Sequence, residues 1–99
     1  MTHSPAASGD GEQPPLGARL GLSARERAVL DLERRHWAVS VPPAPGIKEC
    51  EIREVLGISP ARYYQLLNGL LDREAALAYL PVMISRLRAV REIHRASRQ

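Results

Sequence analysis

Gln65 and Asn68 stand three residues apart in the string Arg62-Tyr63-Tyr64-Gln65-Leu66-Leu67-Asn68, and theirs are the side chains best suited to reading the edge of a nucleobase. A primary amide offers a donor and an acceptor side by side, the pattern that matches adenine in the major groove, and the guanidinium of Arg62 matches guanine in the same way. The three-residue spacing puts both amides on one face of a helix, toward neighbouring base pairs. Tyr64 adds a phenol that can donate to a phosphate or pack on a thymine methyl. A second set, Arg88, Arg91, Arg95 and Arg98, follows along one flank of a helix, and a line of guanidiniums suits phosphates. Between Val82 and Gln99 five arginines stand against one acid, Glu92, a local balance of +4. For either set the plain alternative is a solvated polar face, and arginines near a helix C-terminus also complement the helix dipole.

Other chemistries find little footing. Cys50 is the only cysteine, which excludes an intramolecular disulfide and a cysteine-based zinc finger, and it reads as a small buried hydrophobe. His36 and His94 fall on different helices and His3 in the N-terminal stretch, so no pair has metal-ligand spacing. There is no glycine-rich phosphate loop and no nucleophile–base pairing. The expectation is a protein that is not an enzyme and carries no metal or cofactor.

The elements that must position the two amides are legible in turn. Glu51-Ile52-Arg53-Glu54-Val55-Leu56 reads as the end of a short amphipathic helix that begins near Ile47, with Ile52, Val55 and Leu56 facing inward. Gly57 follows where the chain must reverse, and glycine reaches positive φ without steric cost. Ser59 is placed to cap the next helix and Pro60 suits its first position, where no backbone donor is needed. That second helix spans about Pro60 to Leu71. Tyr63, Leu66, Leu67, Leu70 and Leu71 cluster on one side, and Ala61, Gln65 and Asn68 on the other with Arg62 and Tyr64 flanking. The layout is a helix-turn-helix whose second helix enters a major groove, with Ser59 and Ala61 completing the DNA-facing set.

Upstream, Ser23-Ala24-Arg25-Glu26 is a capping box opening a helix to about Ala38. Its apolar face is Val29, Leu30 and Trp37, with Trp37 as a core anchor against the motif and Arg27, Arg34 and Arg35 outward. The proline-rich run Val41 to Gly46 ends it. Downstream, Asp72 is placed to cap a short turn, Glu74 to Tyr79, and a last helix starts near Pro81 with Met83, Leu87, Val90 and His94 inward. Residues 1–21 hold Pro, Gly, Ser and Ala with few large apolar groups and read as a disordered tail, leaving residues 22–99 as the domain. The expected fold is all-α, a small bundle of about four helices with a central helix-turn-helix. No strand pattern or repeat is present.

Ninety-nine residues with a net charge of +3 and a pI near 9.6 permit a polyanion partner without requiring one. The segment from Ile47 to Leu80 runs against that trend, with a balance of −1 beside the presumed reading helix. No apolar run approaches the roughly 18 residues of a membrane span, and no hydrophobic signal core opens the chain. A cytoplasmic setting fits, with no membrane partner.

The run Leu22 to Leu30 resembles the opening of the DNA-reading domain of LuxR-type regulators and the C-terminal domain of sigma factors, and Ile52 to Ser59 resembles the turn of the same domains. Two departures stand out. Arg53 occupies a position where such motifs carry a small residue, and the proline-rich loop before Ile47 is foreign to both. The chain more closely resembles a family of small actinobacterial proteins catalogued as a domain of unknown function. That resemblance rests on the Leu22-to-Arg27 opening, Trp37, Gly46 to Glu49 and Ser59 to Asn68, and spans about Leu22 to Arg98. It implies a helical fold in a bacterial cytoplasm and no established activity. The reading that follows is a transcriptional regulator binding double-stranded DNA. The rival is a protein-interaction module that binds RNA polymerase or a sigma factor without sequence-specific DNA contact. A homodimer through the last helix is one way such a small domain reaches an adequate site size.

Overall fold

The computed structural model describes residues 16–38 and 44–97, and all regular structure among them is helical. Helix α1 is Leu16–Arg19 and α2 is Ala24–Trp37. Helix α3 begins as Ile47–Glu51 and continues without a break into a π-helical turn, Ile52–Leu56. Helices α4, α5 and α6 are Pro60–Leu70, Glu74–Tyr79 and Pro81–Ser97. Six helices therefore stand among the described residues where about four were expected. The added ones are α1 and the short turn α5, which the sequence reading had marked only as a turn.

Local chemistry accounts for the boundaries. At the head of α2, the Glu26 amide donates to Ser23 Oγ at 3.1 Å and the Ser23 amide donates to Glu26 Oε1 at 2.8 Å, so the expected capping box forms. Helix α3 ends at Gly57, whose φ is 68° and whose amide donates to the Arg53 carbonyl at 3.0 Å. A side chain would be strained at that angle. Two residues later Ser59 Oγ accepts from the Arg62 amide at 3.1 Å, and Pro60 takes the first helical position.

Helix α2 is the spine of the core. It packs against α4 and the π turn, while α1 rests on α5 and α5 on α6. Val29, Leu30 and Leu32 of α2 meet Ile52, Tyr63, Leu67 and Leu70, and Ala76, Met83 and Ile84 close the far side. Each fully buried Leu or Ile contributes about 1.5–3 kcal/mol over leaving it exposed.

Several inward assignments are corrected. Val55 is 58% exposed, because bonding from i to i+5 takes more residues per turn and swings it off the face shared by Ile52 and Leu56. The same turn leaves Arg53 exposed, so the larger residue at that position does not press on α4. Trp37 is also exposed rather than a core anchor. It lines a small hollow with Leu80, Pro81, Val82 and Met83, and so lies beside the start of α6 and not beside the motif. Val90 and His94 are exposed because the core ends at about Arg91, before α6 does. Cys50 is exposed too, its thiol 3.6 Å from Glu54 Oε2. Asp72 caps nothing; the residue before α5 is Arg73, with no side-chain cap.

The expected disordered tail through Gly21 is corrected at its end. Residues 16–19 are helical, and Gly17 is buried against the stem of Arg27 and the ring of Tyr79. A Cβ at Gly17 would fall 2.2 Å from Arg27 Cδ, so any larger residue there requires the Arg27 side chain to shift. Residues 1–15, with His3, lie outside the described residues, as do residues 39–43, which include the start of the proline-rich run.

Candidate nucleic-acid interface

Helix α4 is held by a buried polar cluster beneath it. Tyr63 is fully buried, and its hydroxyl donates to Glu33 Oε1 at 2.7 Å and lies 3.3 Å from the Val29 carbonyl. Glu33, itself buried in α2, also takes Lys48 Nζ from α3 at 2.8 Å. Burial, then the Glu33 hydrogen bond, push the Tyr63 phenol well above its ordinary value, so it remains a donor. Burial works against the Lys48 ammonium, yet the Glu33 hydrogen bond and charge outweigh it and the pKa is raised. Three helices thus meet on one carboxylate. Burying that charge is tolerable because it is paired and hydrogen-bonded.

The same cluster orients Tyr64. The Lys48 ammonium lies 5.0 Å from the centroid of the Tyr64 ring, and the Tyr63 ring meets Tyr64 edge-on at 5.1 Å and 89°. Such contacts are worth about 0.5–1.5 kcal/mol each. They fix the ring while leaving it 41% exposed.

With Tyr63, Leu67 and Leu70 turned inward, Ala61, Arg62, Gln65 and Asn68 are left exposed. Ala61, Tyr64, Gln65 and Asn68 line one shallow hollow of about 440 Å³ with Leu67 and Leu71 at its base. The expected amides therefore share a face. Arg62 is exposed one position round from that hollow. Ser59 is exposed as well; its oxygen accepts the capping bond, leaving the hydroxyl proton and one lone pair for an outside partner.

The C-terminal arginines are placed differently from a free phosphate-binding row. The Arg88 guanidinium donates to the Leu71 carbonyl at the end of α4. Arg91 grips Asp72, with Nη2 2.6 Å and Nη1 3.3 Å from its two oxygens, and Nη1 lies 3.4 Å from Asn68 Oδ1. The Arg91 hydrogen bonds hold the Asp72 carboxyl below the usual carboxylate range. Arg95 pairs with Glu92 at 2.9 Å on the surface. Arg98 lies outside the described residues. Arg88 and Arg91 thus fasten α6 to α4, and Arg91 sits against one of the two amides.

The Glu33–Tyr63–Lys48 cluster escaped the sequence reading, although a signal was present. Glu33 falls three and four residues after Leu30 and Val29, on the apolar face of α2, and Tyr63 on the inward face of α4 needs a partner for its hydroxyl. A second pairing also went unseen. His36 Nε2 lies 2.6 Å from Glu51 Oε1, and Arg35 binds the same carboxylate, tying α2 to α3.

A family model described as "Protein of unknown function (DUF3263)" matches residues 21–99. The chain belongs to that family. No curated protein and no solved structure matches the chain.

Proposed function

We propose that this DUF3263 protein is a DNA-binding transcriptional regulator that reads the major groove with the exposed face of α4. The observation that carries the reading is the joint exposure of Ala61, Arg62, Gln65 and Asn68 on a helix whose other face is locked by Tyr63, Leu67 and Leu70. A rigid helix presenting amides and a guanidinium has the chemistry of direct base readout. Likeness of the Ile52-to-Ser59 turn to LuxR-type and sigma-factor domains supports the same docking, and likeness to small actinobacterial proteins supports work in a bacterial cytoplasm. No helix among the described residues is long and apolar enough to cross a membrane. In this reading Gln65 and Asn68 contact bases, Arg62, Tyr64 and Arg95 contact phosphates, and Ser59 and Ala61 lie at the groove wall. Arg88 and Arg91 act by holding α6 in place.

The test is selection from a random duplex pool at low salt, with Gln65→Ala as the control. An enriched motif that loses about 1–3 kcal/mol of affinity in the variant, with relaxed preference at one position, is the expected result. Failure to enrich any sequence, or an identical motif and affinity in Gln65→Ala, overturns it. The internal engagement of Arg88 and Arg91 favours a second reading, docking on RNA polymerase or a sigma factor, since it thins the phosphate-contacting set. Genomic cross-linking peaks spread over active promoters without a shared motif would decide for it.

A further inference from the structure

Helix α6 outlasts the core. Every residue from Glu92 to Ser97 is exposed, so its last turns stand clear of the bundle beside α4. Between the two helices lies a groove of about 550 Å³. Its apolar walls are Leu67 and Leu71 of the α4 end and Leu87 and Val90 of α6, and Arg91, His94 and Arg95 stand along its rim. Val90 is 47% exposed in that groove. The stripe Leu87, Val90 and His94 continues the inward face of α6 at helical spacing past the point where the described residues set anything against it.

We propose that this groove docks an acidic amphipathic helix of a partner protein. Val90, exposed beside Leu87 and the edges of the buried Leu67 and Leu71, gives a helix laid in the groove an apolar anchor point. The rim selects the charge of the guest. Among the described residues of α6, Arg86, Arg88, Arg91 and Arg95 stand against Glu92. Arg95 pairs with Glu92 and Arg91 with Asp72, yet Arg86 and Arg88 keep the helix net positive. The one carboxylate lining the groove, Glu33, is already held by Lys48 and Tyr63. Acidic flanks on the guest would meet arginines, whereas a second copy of α6 would bring arginines against arginines. Duplex DNA satisfies the rim but leaves the exposed Val90 without an apolar partner. The groove shares Tyr64 and Asn68 with the exposed face of α4, so its occupant covers part of that face. The docking itself does not rest on DNA reading.

The experiment titrates the full chain, free of DNA, into a fluorescein-labelled helical peptide of about 16 residues with leucines at i, i+3, i+4 and i+7 and glutamates on both flanks. A twin peptide carries lysine for each glutamate. The expected result is saturable binding of the acidic peptide, at least about tenfold tighter than the twin and weakened about tenfold or more by Val90→Asp, a change at an exposed site. Arg95→Glu should narrow the gap between the two peptides. Ile93→Asp is the control, at a position 65% exposed that does not line the groove, and it should bind as the parent does. Circular dichroism of each variant confirms the fold. No binding of the acidic peptide, equal binding of the twins, or equal loss in Ile93→Asp and Val90→Asp would overturn the proposal. Formation of dimers by the unliganded chain, blocked by Val90→Asp, would replace it with self-association. If the peptide binds but does not displace a selected duplex, the groove assignment stands and the placing of DNA on the Tyr64–Asn68 face is what fails.

Discussion

Tyr63 carries more of the architecture than its neighbours because its hydroxyl reaches a carboxylate that Lys48 also needs. Tyr63→Phe keeps the ring and removes that donor, so Glu33 retains one fewer partner in a buried place. The expected cost is about 1–3 kcal/mol, read as a lower urea midpoint at unchanged slope. An unchanged midpoint would mean the hydroxyl contributes nothing net. Glu51 offers a test by pH. Hydrogen bonding from His36, with Arg35 adding its charge, holds its pKa below the ordinary 4.5. A depressed carboxylate stabilises the fold above its unfolded pKa, and that contribution fades as pH falls through the folded value. Acid titration of thermal midpoints should therefore show a smaller drop below about pH 4.5 in Glu51→Gln than in the parent. Parallel curves would rule the pairing out. At this scale the sequence was partly legible. The inward place of Tyr63 followed from helical spacing, whereas an acid at Glu33 reads as a surface residue until its two partners, 15 and 30 positions away, are known to lie beside it.

Elements were read best where their ends are chemical. The Ser23–Glu26 box, Gly57 at positive φ and Ser59 with Pro60 all act within four residues, so local sequence suffices to mark them. The π turn at Ile52–Leu56 carries no such mark, and it alone turned Val55 outward. Helix α6 follows from its periodicity, whereas the contacts of Arg88 and Arg91 with the end of α4 and with Asp72 do not. Arg91→Ala should loosen that attachment. Amide exchange through the last turn of α4 and the first half of α6 is expected to quicken, and Asp72→Asn should reproduce part of the effect without adding fully to it. Full additivity of the two changes would show that the pair does not act as a unit.

Across the described residues, part of the positive charge is paired within the fold. Arg35, Lys48, Arg73, Arg91 and Arg95 each bind a carboxylate within the fold. If DNA is bound through Arg62, Arg95 and one or two further cations, the slope of log affinity against log salt should be about −3, well short of the −6 to −9 of proteins making six to ten phosphate contacts. Titration of a fixed duplex across a series of KCl concentrations measures it. A much steeper slope would mean that the internal pairs open onto phosphate.

Helical class, the turn between α3 and α4 and the polar face carrying Gln65 and Asn68 were determined by the sequence itself, because periodicity and capping are local and repeat every few residues. Which charges are free was decided only by the tertiary structure. Arg91 and Asp72 are 19 residues apart in the chain, and Arg88 meets a carbonyl 17 residues away. A guanidinium takes whichever acceptor the packing of helices brings within reach, and no spacing rule along one helix contains that information. The same packing ends the core before α6 ends, and so leaves the groove beside the exposed face of α4 open among the described residues.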